Sequence, residues 1–397
     1  MATVHLRRGR TKPLWAGHPW VYAESVERVE GSAADGEIVE VRDDAGRFVA
    51  RGFWNSRSVL RVRVLSRVET ETDPALVVAA RVREAAALRE ACGVAATTEI
   101  WRAIHAEGDG LPGVVADMCG GFVVVQVSVL GMERLLDPLA DALVETLQPT
   151  GILLRGGARH AKEEGVAEGD RILRGAEPPE TVWARERGVW FGVDLRSGAK
   201  TGHFADQREN RARFASMCRG RKVLDAFAGT GGFGLHALAA GAESVLAIDG
   251  SATALERLEA NAERNGAGAR MAASRQDAFL ELRRLAGGRT RFGAVCVDPP
   301  RMAESRDEAA KALKALRELH LRAMLLLEEG GVLAASCCSG AIADDAFEDT
   351  LREAARMAKR RVQVLYRGGQ GPDHPWSVVA PEGRYLRFVL ARVGGMV

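Results

Sequence analysis

Apolar and polar positions change rhythm three times along this chain of 397 residues. From about Val4 to Leu65, "EIVEVRDDAGRFVARGFW" and "SVLRVRVLS" alternate apolar and polar around an Asp-Ala-Gly turn, the period of strands with one buried face. A small β domain over residues 1–68 is expected. The acidic "RVETETDP" breaks the alternation. Thr72 or Asp73 can then cap a helix with Pro74 in its first turn, and the periodic run "ALVVAARVREAAALREAC" ends at Gly93. "IWRAIHAEGD", "GVVADMCGGFVVVQV" and "GILLRGG" read as strands and hairpins around one or two helices, a middle α+β domain over 72–180. The hairpin "TVWARERGVWFGVDL" opens a last domain, 181–397. From Lys222 the rhythm becomes strand, glycine turn, helix, strand, repeated through "KVLDAFAGTGGFGLHALAAG", "SVLAIDGSATALERLEANAERNG" and "FGAVCVDPPR". A long helix to Glu329 and "GGVLAASCCSG" follow. Continuous apolar strands alternating with amphipathic helices predict an α/β, doubly wound, Rossmann-like parallel sheet.

Composition narrows the setting. Six cysteines with no C-x-x-C pair and no Cys/His ladder argue against a disulfide scaffold, a zinc ribbon or any metal site. No run of about 18 apolar residues suggests a membrane span, so a reduced, cytoplasmic protein without a membrane partner is expected. Net charge is only +2, but residues 1–67 carry 12 Lys/Arg against 8 Asp/Glu. In "VHLRRGRTKPLWAGHPWVY", Arg7, Arg8, Arg10 and Lys12 precede any acidic residue. They can pair with phosphates while Trp15 and Trp20 offer stacking faces. A solvated basic surface with buried tryptophans reads equally well from this segment alone.

The turn "GTGGFG" supplies G-x-G-x-x-G through Gly229, Gly231 and Gly234, and Asp249 ends the next strand about 20 residues on. A nicotinamide site fits poorly, because "DAFA" separates the glycines from the strand and sets Asp225 at the strand end, where a pyrophosphate would be repelled and a cationic sulfonium favoured. D-x-F-x-G-x-G-G (Asp225, Phe227, Gly229, Gly231), Asp249, Asp277 and Asp298-Pro299-Pro300 in order resemble the motif series of class I S-adenosylmethionine methyltransferases. That resemblance implies Asp249 on the ribose hydroxyls and Asp277 near the adenine amino group. An ordinary strand terminator and a helix cap are the plainer readings of the two.

In an open sheet of order 3-2-1-4-5, ligands sit at the carboxyl ends near the switch point. Asp298-Pro299-Pro300 ends the fourth strand and Ser336 to Ser339 the fifth, so the thiols of Cys337 and Cys338 should flank one pocket with the Asp-Pro-Pro turn, and because neighbouring strand residues point to opposite sides, only one of the two can readily face a base lying over that turn. Cys296 lies within its strand and reads as apolar filler. A thiol beside a methyl donor has a chemical use: carbon 5 of a pyrimidine is a poor nucleophile until a thiolate adds at carbon 6. Two small apolar residues at a strand end are the plainer alternative.

"HLRRGRTKPLWAGHPWVY", "GRFVARGFWNSRS", "EGDGLPGVVAD", "AKTGHFADQRENR", "DPPR", "SCCSG" and "DHPWSVVAPEGRYL" together resemble the RlmI-type bacterial 23S ribosomal RNA (cytosine-5) methyltransferases. Those join an amino-terminal PUA domain, a middle α+β domain and a Rossmann methyltransferase domain. The resemblance implies S-adenosyl-L-methionine as cofactor, ribosomal RNA as partner and a PUA-type RNA-binding role for the basic amino-terminal face. Its S-C-S-G falls on Cys337-Cys338-Ser339-Gly340, making Cys338 the nucleophile and placing Cys337 where serine is usual. Its DPPK becomes Asp298-Pro299-Pro300-Arg301, with arginine for lysine. Further implied roles are Asp298 on the N3 or N4 edge of cytosine, Gln207 and Arg208 closing over cofactor or flipped base, and His374 relaying the carbon 5 proton or anchoring a loop. A uracil-5 RNA methyltransferase and a catalytically silent RNA-binding assembly factor are the competing readings, and a homodimer is left open.

Overall fold

The computed structural model describes residues 1–157, 161–198 and 202–396. Ala199, Lys200 and Thr201 of "AKTGHFADQRENR" lie outside the described residues. Contacts divide the chain into two compact units, Met1–Ala184 with Val193–Ala205 and Pro372–Gly383, and Arg185–Gly192 with Asp206–Gly371 and Arg384–Val397. No described helix is long and apolar enough to cross a membrane.

The first unit holds two sheets. β1 (Thr3–Leu6), β2 (Trp20–Tyr22), β3 (Val26–Glu30), β4 (Ile38–Arg42), β5 (Phe48–Trp54) and β6 (Leu60–Ser66) form one in the order β2-β6-β5-β4-β1-β3, with α1 (Lys12–Trp15) in its first connection. Its inward positions, among them Val4, Leu6, Val39, Val41 and Val62, make one core. α2 (Pro74–Ala91) follows, with the Asp73 carboxylate accepting the Ala75 N–H at 2.9 Å as its N-cap. β7 (Ile100–His105), β8 (Val114–Cys119), β9 (Phe122–Val127), β10 (Gly151–Leu154) and β11 (Arg171–Gly175) form the second sheet, order β11-β10-β9-β8-β7. α3 (Leu130–Glu133), α4 (Leu136–Leu147) and α5 (Ala161–Glu164) lie in its connections. The segment 372–383, which the sequence runs into the last domain, groups with this unit. One cause is local: the Asp373 carboxylate accepts the Arg102 N–H at 3.0 Å, and its carbonyl accepts from the buried Arg89 guanidinium at 2.7 Å.

A hairpin of β12 (Val182–Glu186) and β13 (Val189–Val193) precedes the seven-stranded sheet. That sheet is built from β14 (Lys222–Ala226), β15 (Ser244–Asp249), β16 (Met271–Arg275), β17 (Phe292–Val297), β18 (Leu327–Cys337), β19 (Arg360–Gly368) and β20 (Arg387–Met396), in the order β16-β15-β14-β17-β18-β20-β19. The first five strands are parallel, in the 3-2-1-4-5 order expected for a doubly wound fold, and β20 runs antiparallel to β18 and β19. α6 (Arg208–Ala215), α7 (Gly232–Ala239), α8 (Ala252–Arg264), α9 (Ala278–Ala286), α10 (Arg306–Leu326) and α11 (Asp344–Ala358) cover it. The helix expected to reach Glu329 stops at Leu326, because Leu327 is buried and pairs with Phe292 at the start of the sheet.

Strand alternation sorts side chains onto two cores. Leu224, Ala226, Val295, Val297, Leu333, Ala335 and Cys337 face the layer with α9, α10 and α11. Val223, Ala294, Cys296, Val332 and Ala334 face the layer with α6, α7 and α8. By the same parity Asp225 and Ser336 belong to the second face.

Candidate active site

The carboxyl ends of β14, β15, β17 and β18 carry the motif residues. β14 delivers Asp225, whose side chain is 1% exposed. Its Oδ2 accepts the Gly234 N–H at 2.8 Å, while Oδ1 meets no donor among the described residues. Burial, reinforced by the nearby charges of Asp298 and Asp249, pushes this carboxyl up to about 7 against the opposing Gly234 N–H and Arg211. The chain then turns through Phe227 at φ +63° and Gly229 at +54°, and Gly231 at +91° begins α7. Left-handed backbone at a phenylalanine is uncommon. It sets the Phe227 ring edge-on to Phe279, centroids 5.5 Å apart.

Asp249 ties this turn to the end of β15. Its Oδ2 accepts the Gly229 N–H at 2.9 Å and its Oδ1 the Ser251 N–H at 2.8 Å. Asp277 is exposed and caps α9, with Oδ1 accepting the Leu280 N–H at 3.0 Å. The cap expected as its plainer reading is therefore present, and Oδ2 remains on the exposed side chain. The residues at this end fit an amino-acid-bearing cation next to a ribose: a half-satisfied buried carboxylate, a glycine turn where a Cβ at Gly229 would meet nothing within 4 Å, and a second carboxylate held on that turn.

A second cluster faces the ends of β17 and β18. Asp298 follows β17, half-buried, with Pro299 buried and Pro300 and Arg301 exposed. Gln207, just before α6, donates from Nε2 to Asp298 Oδ1 at 2.9 Å and to Ser336 Oγ at 3.2 Å. Its Oε1 accepts from Asn210 Nδ2 at 2.6 Å, and the same Nδ2 donates to the Gly369 carbonyl at 3.0 Å. Gln207, expected to close over the cofactor or the base, is thus bound to Asp298. Arg208 is 1% exposed with Nε 3.3 Å from Glu209 Oε1, so burial, and not a rim position, characterises it.

The cysteine pair is split as alternation requires. Cys337, the last residue of β18, is buried in the α11-side core, and burial raises its thiol. Cys338 is half-buried, and its Sγ lies 3.7 Å from the Pro299 carbonyl. Ser339 Oγ accepts the N–H groups of Met302 and Ala303 at 3.1 and 3.2 Å, holding the segment after Asp-Pro-Pro against the cysteine turn. Cys296 is buried and pushed well above the ordinary thiol range by desolvation, as filler should be. The "DQR" and "RYL" stretches also meet: the Tyr385 hydroxyl donates to Asp206 Oδ2 at 2.7 Å.

The structure does not group His374 with these residues. It belongs to the first unit, 2% exposed, with Nδ1 3.2 Å from Asp373 Oδ1 and its ring 5.1 Å from that of His105, which is the environment of a loop anchor. In the same unit Arg7, Arg8, Arg10 and Lys12 are all exposed. Trp15 is exposed with the Arg47 guanidinium 4.5 Å over its ring. Trp20 is instead held through Nε1 to Glu107 at 3.0 Å. Asn210 was not singled out in the sequence, and Ser336 was read only as the end of a strand. Nothing local distinguishes a buried asparagine in a polar helix start from a solvated one.

Residues 4–67 match the family model of the PUA-like domain, and residues 210–336 match that described as Conserved hypothetical protein 95. The chain is 36% identical over 392 residues to a ribosomal RNA large subunit methyltransferase I of Aliivibrio fischeri, covering 98% of this chain and 99% of the relative. The protein of the same name from Photobacterium profundum is 35% identical over 387 residues, 97% of this chain and 98% of its own. Among solved structures, a Streptococcus mutans protein described as a SAM-dependent methyltransferase superposes with a TM-score of 0.82 at 19% identity, over 99% of this chain and 100% of that one. A protein described as a methyltransferase, in a crystal structure complexed with SAH, gives 0.85 at 19% identity over the same shares. These two are likenesses of fold.

Proposed function

The chain belongs to the ribosomal RNA large subunit methyltransferase I family, and from that premise we propose that it methylates carbon 5 of a cytosine in large-subunit ribosomal RNA, with S-adenosylmethionine as donor and Cys338 as nucleophile. One observation carries the cytosine-5 reading: of two adjacent thiols, alternation buries Cys337 and leaves Cys338 half-exposed beside the Asp298-Pro299-Pro300 turn. Methylation at a ring nitrogen or an exocyclic amine has no need of a thiol there.

The glycine turn, Asp225 and Asp249 would hold the donor, Asp249 accepting from the ribose hydroxyls and Asp225 offering its charge to a cationic ligand. Bound there, the sulfonium supplies an electrophilic methyl group that carbon 5 accepts. Cys338 Sγ, as thiolate, adds to carbon 6 of the flipped base, and the electron pair of the 5,6 double bond moves toward carbon 5. Asp298 holds the Watson–Crick edge. After transfer, loss of the carbon 5 proton restores the double bond as the carbon–sulfur bond breaks and the thiolate leaves. The exposed basic residues of the first unit supply phosphate contacts.

Trapping tests this reading. RNA containing 5-fluorocytosine should form a stable adduct, because fluorine at carbon 5 blocks the final elimination, and mass spectrometry should place the adduct on Cys338. Cys338→Ala should abolish methyl transfer with S-adenosylmethionine still bound, whereas Cys337→Ser should keep most activity. An adduct on Cys337, or methylation by Cys338→Ala at a comparable rate, sinks the assignment.

A further inference from the structure

We infer that Arg387 is a positioning residue for the nucleophile: its backbone and its guanidinium hold the residues on either side of Cys338, and so set where the thiol stands when the base arrives. The inference rests on the reading of Cys338 as nucleophile.

Cys338 sits where regular structure ends. β18 stops at Cys337 and α11 begins at Asp344, so the thiol is carried on the first residue of the connection 338–343, with neither a ladder nor a helix of its own to fix it. Its neighbours must do so. On one side, Cys337 pairs with Arg387 at the start of β20, and residues directly opposite in an antiparallel ladder send their side chains to the same face. The Arg387 side chain therefore leaves on the α11 side, with the buried Cys337 thiol. From there it reaches past Cys338: Nη1 donates to the Ser339 carbonyl at 3.2 Å and to the Tyr385 carbonyl at 3.3 Å, and Nε donates to Asp344 Oδ1 at 2.9 Å. One residue thus meets both neighbours of the nucleophile and the first residue of the next helix.

Each of these links is held in turn. The Ser339 carbonyl also accepts the Ile342 N–H at 3.1 Å, so turn and arginine together fill its two lone pairs. On its other side Ser339 Oγ accepts from Met302 and Ala303, and the residue is 1% exposed. Asp344 is shared, with Oδ2 2.5 Å from Arg384 Nη1, which keeps Oδ1 turned to Arg387. Arginine suits the place, because its planar fork serves two carbonyls and a carboxylate at once while an ammonium offers a single centre. The side chain is only 11% exposed, so water cannot readily stand in for the fork. Its charge also reaches the cysteine pair: burial raises the Cys337 thiol, and Arg387 opposes that rise.

The test follows adduct formation and turnover in full-length wild type, Arg387→Met and Arg387→Lys, on large-subunit RNA transcripts carrying 5-fluorocytosine or cytosine. Methionine fills much of the same space without a donor or a charge. At saturating RNA, adduct formation at Cys338 and kcat should fall together by about tenfold to a hundredfold, the loss expected when reacting groups shift by about an ångström, while KM for RNA changes by less than about twofold. Arg387→Lys keeps the charge and one donating centre, and should recover part or all of the loss. S-adenosylmethionine affinity, measured by calorimetry, should match wild type in both variants. If Arg387→Met does not bind it, Asp344→Asn takes its place, since that change leaves Arg387 present but loosens its aim and should slow both steps by a smaller factor. Wild-type rates in the variant that binds, a loss confined to KM, or a lysine variant no faster than methionine would overturn the inference. A wild type that forms no adduct, or forms it on Cys337, would instead remove the reading of Cys338 on which the inference rests.

Discussion

Asp225→Asn should make the second unit more stable at pH 8 than at pH 5, relative to wild type, and should weaken cofactor binding. Asp225 is 1% exposed, one oxygen accepts the Gly234 N–H, and the other has no donor among the described residues. Its carboxyl stands at about 7 in the folded chain against an ordinary 3.8, chiefly through desolvation. A folded value raised above the unfolded one contributes stability that is fully present below about 3.8 and is lost as pH rises through about 7. From pH 8 down to pH 5 the folded wild type takes up a proton that the unfolded chain largely does not. Between pH 7 and pH 5, at roughly 1.36 kcal/mol per pH unit, this amounts to about 2.7 kcal/mol. Asparagine keeps an acceptor for Gly234 and carries no charge, so the stability difference between variant and wild type should shrink by about 2–3 kcal/mol between pH 8 and pH 5. Native-state hydrogen exchange at the β14 amides of the full chain reads this directly. In the same variant S-adenosylmethionine should bind more weakly at pH 8, because the charge that costs stability is the one offered to the cation. Equal stability differences at the two pH values would refute the buried-charge argument, and undiminished affinity would refute its use.

Asp249→Asn leaves one acceptor for the two N–H groups of Gly229 and Ser251, so an amide N–H faces an NH₂ at a cost of about 1–3 kcal/mol. With the ribose contacts also impaired, calorimetry should find S-adenosylmethionine affinity reduced tenfold or more, and a change below twofold would mean that Asp249 serves the turn alone. Replacing Arg7, Arg8, Arg10 and Lys12 together by alanine in the full chain should lower RNA affinity and reduce the slope of log affinity against log salt by about 0.7–0.9 for each phosphate no longer neutralised. An unchanged slope would show that this exposed strip does not touch RNA.

How much of this was legible in the sequence differs between backbone and buried polar groups, for a physical reason. The doubly wound parallel sheet followed from apolar strands alternating with amphipathic helices, while the antiparallel β20 and β19 beyond its fifth strand were not read from the sequence. The cap was narrowed to Thr72 or Asp73 by the proline heading a periodic run, and the fold uses Asp73. The split of Cys337 from Cys338 also followed, because a period of two must send neighbours to opposite faces, whatever the packing. Leu327 escaped, since whether a leucine ends a helix or begins a strand depends on Phe292, far away in the chain. The Gln207 network escaped for a stronger version of the same reason. Its direction is set by the Gly369 carbonyl, 159 residues from Asn210, and a backbone carbonyl carries no mark in the sequence. A motif therefore names the groups that can touch a substrate, while the proton each of them holds is decided by partners that only the fold supplies. Asp225 is the case in point: desolvation raises its carboxyl to about 7, which no motif records.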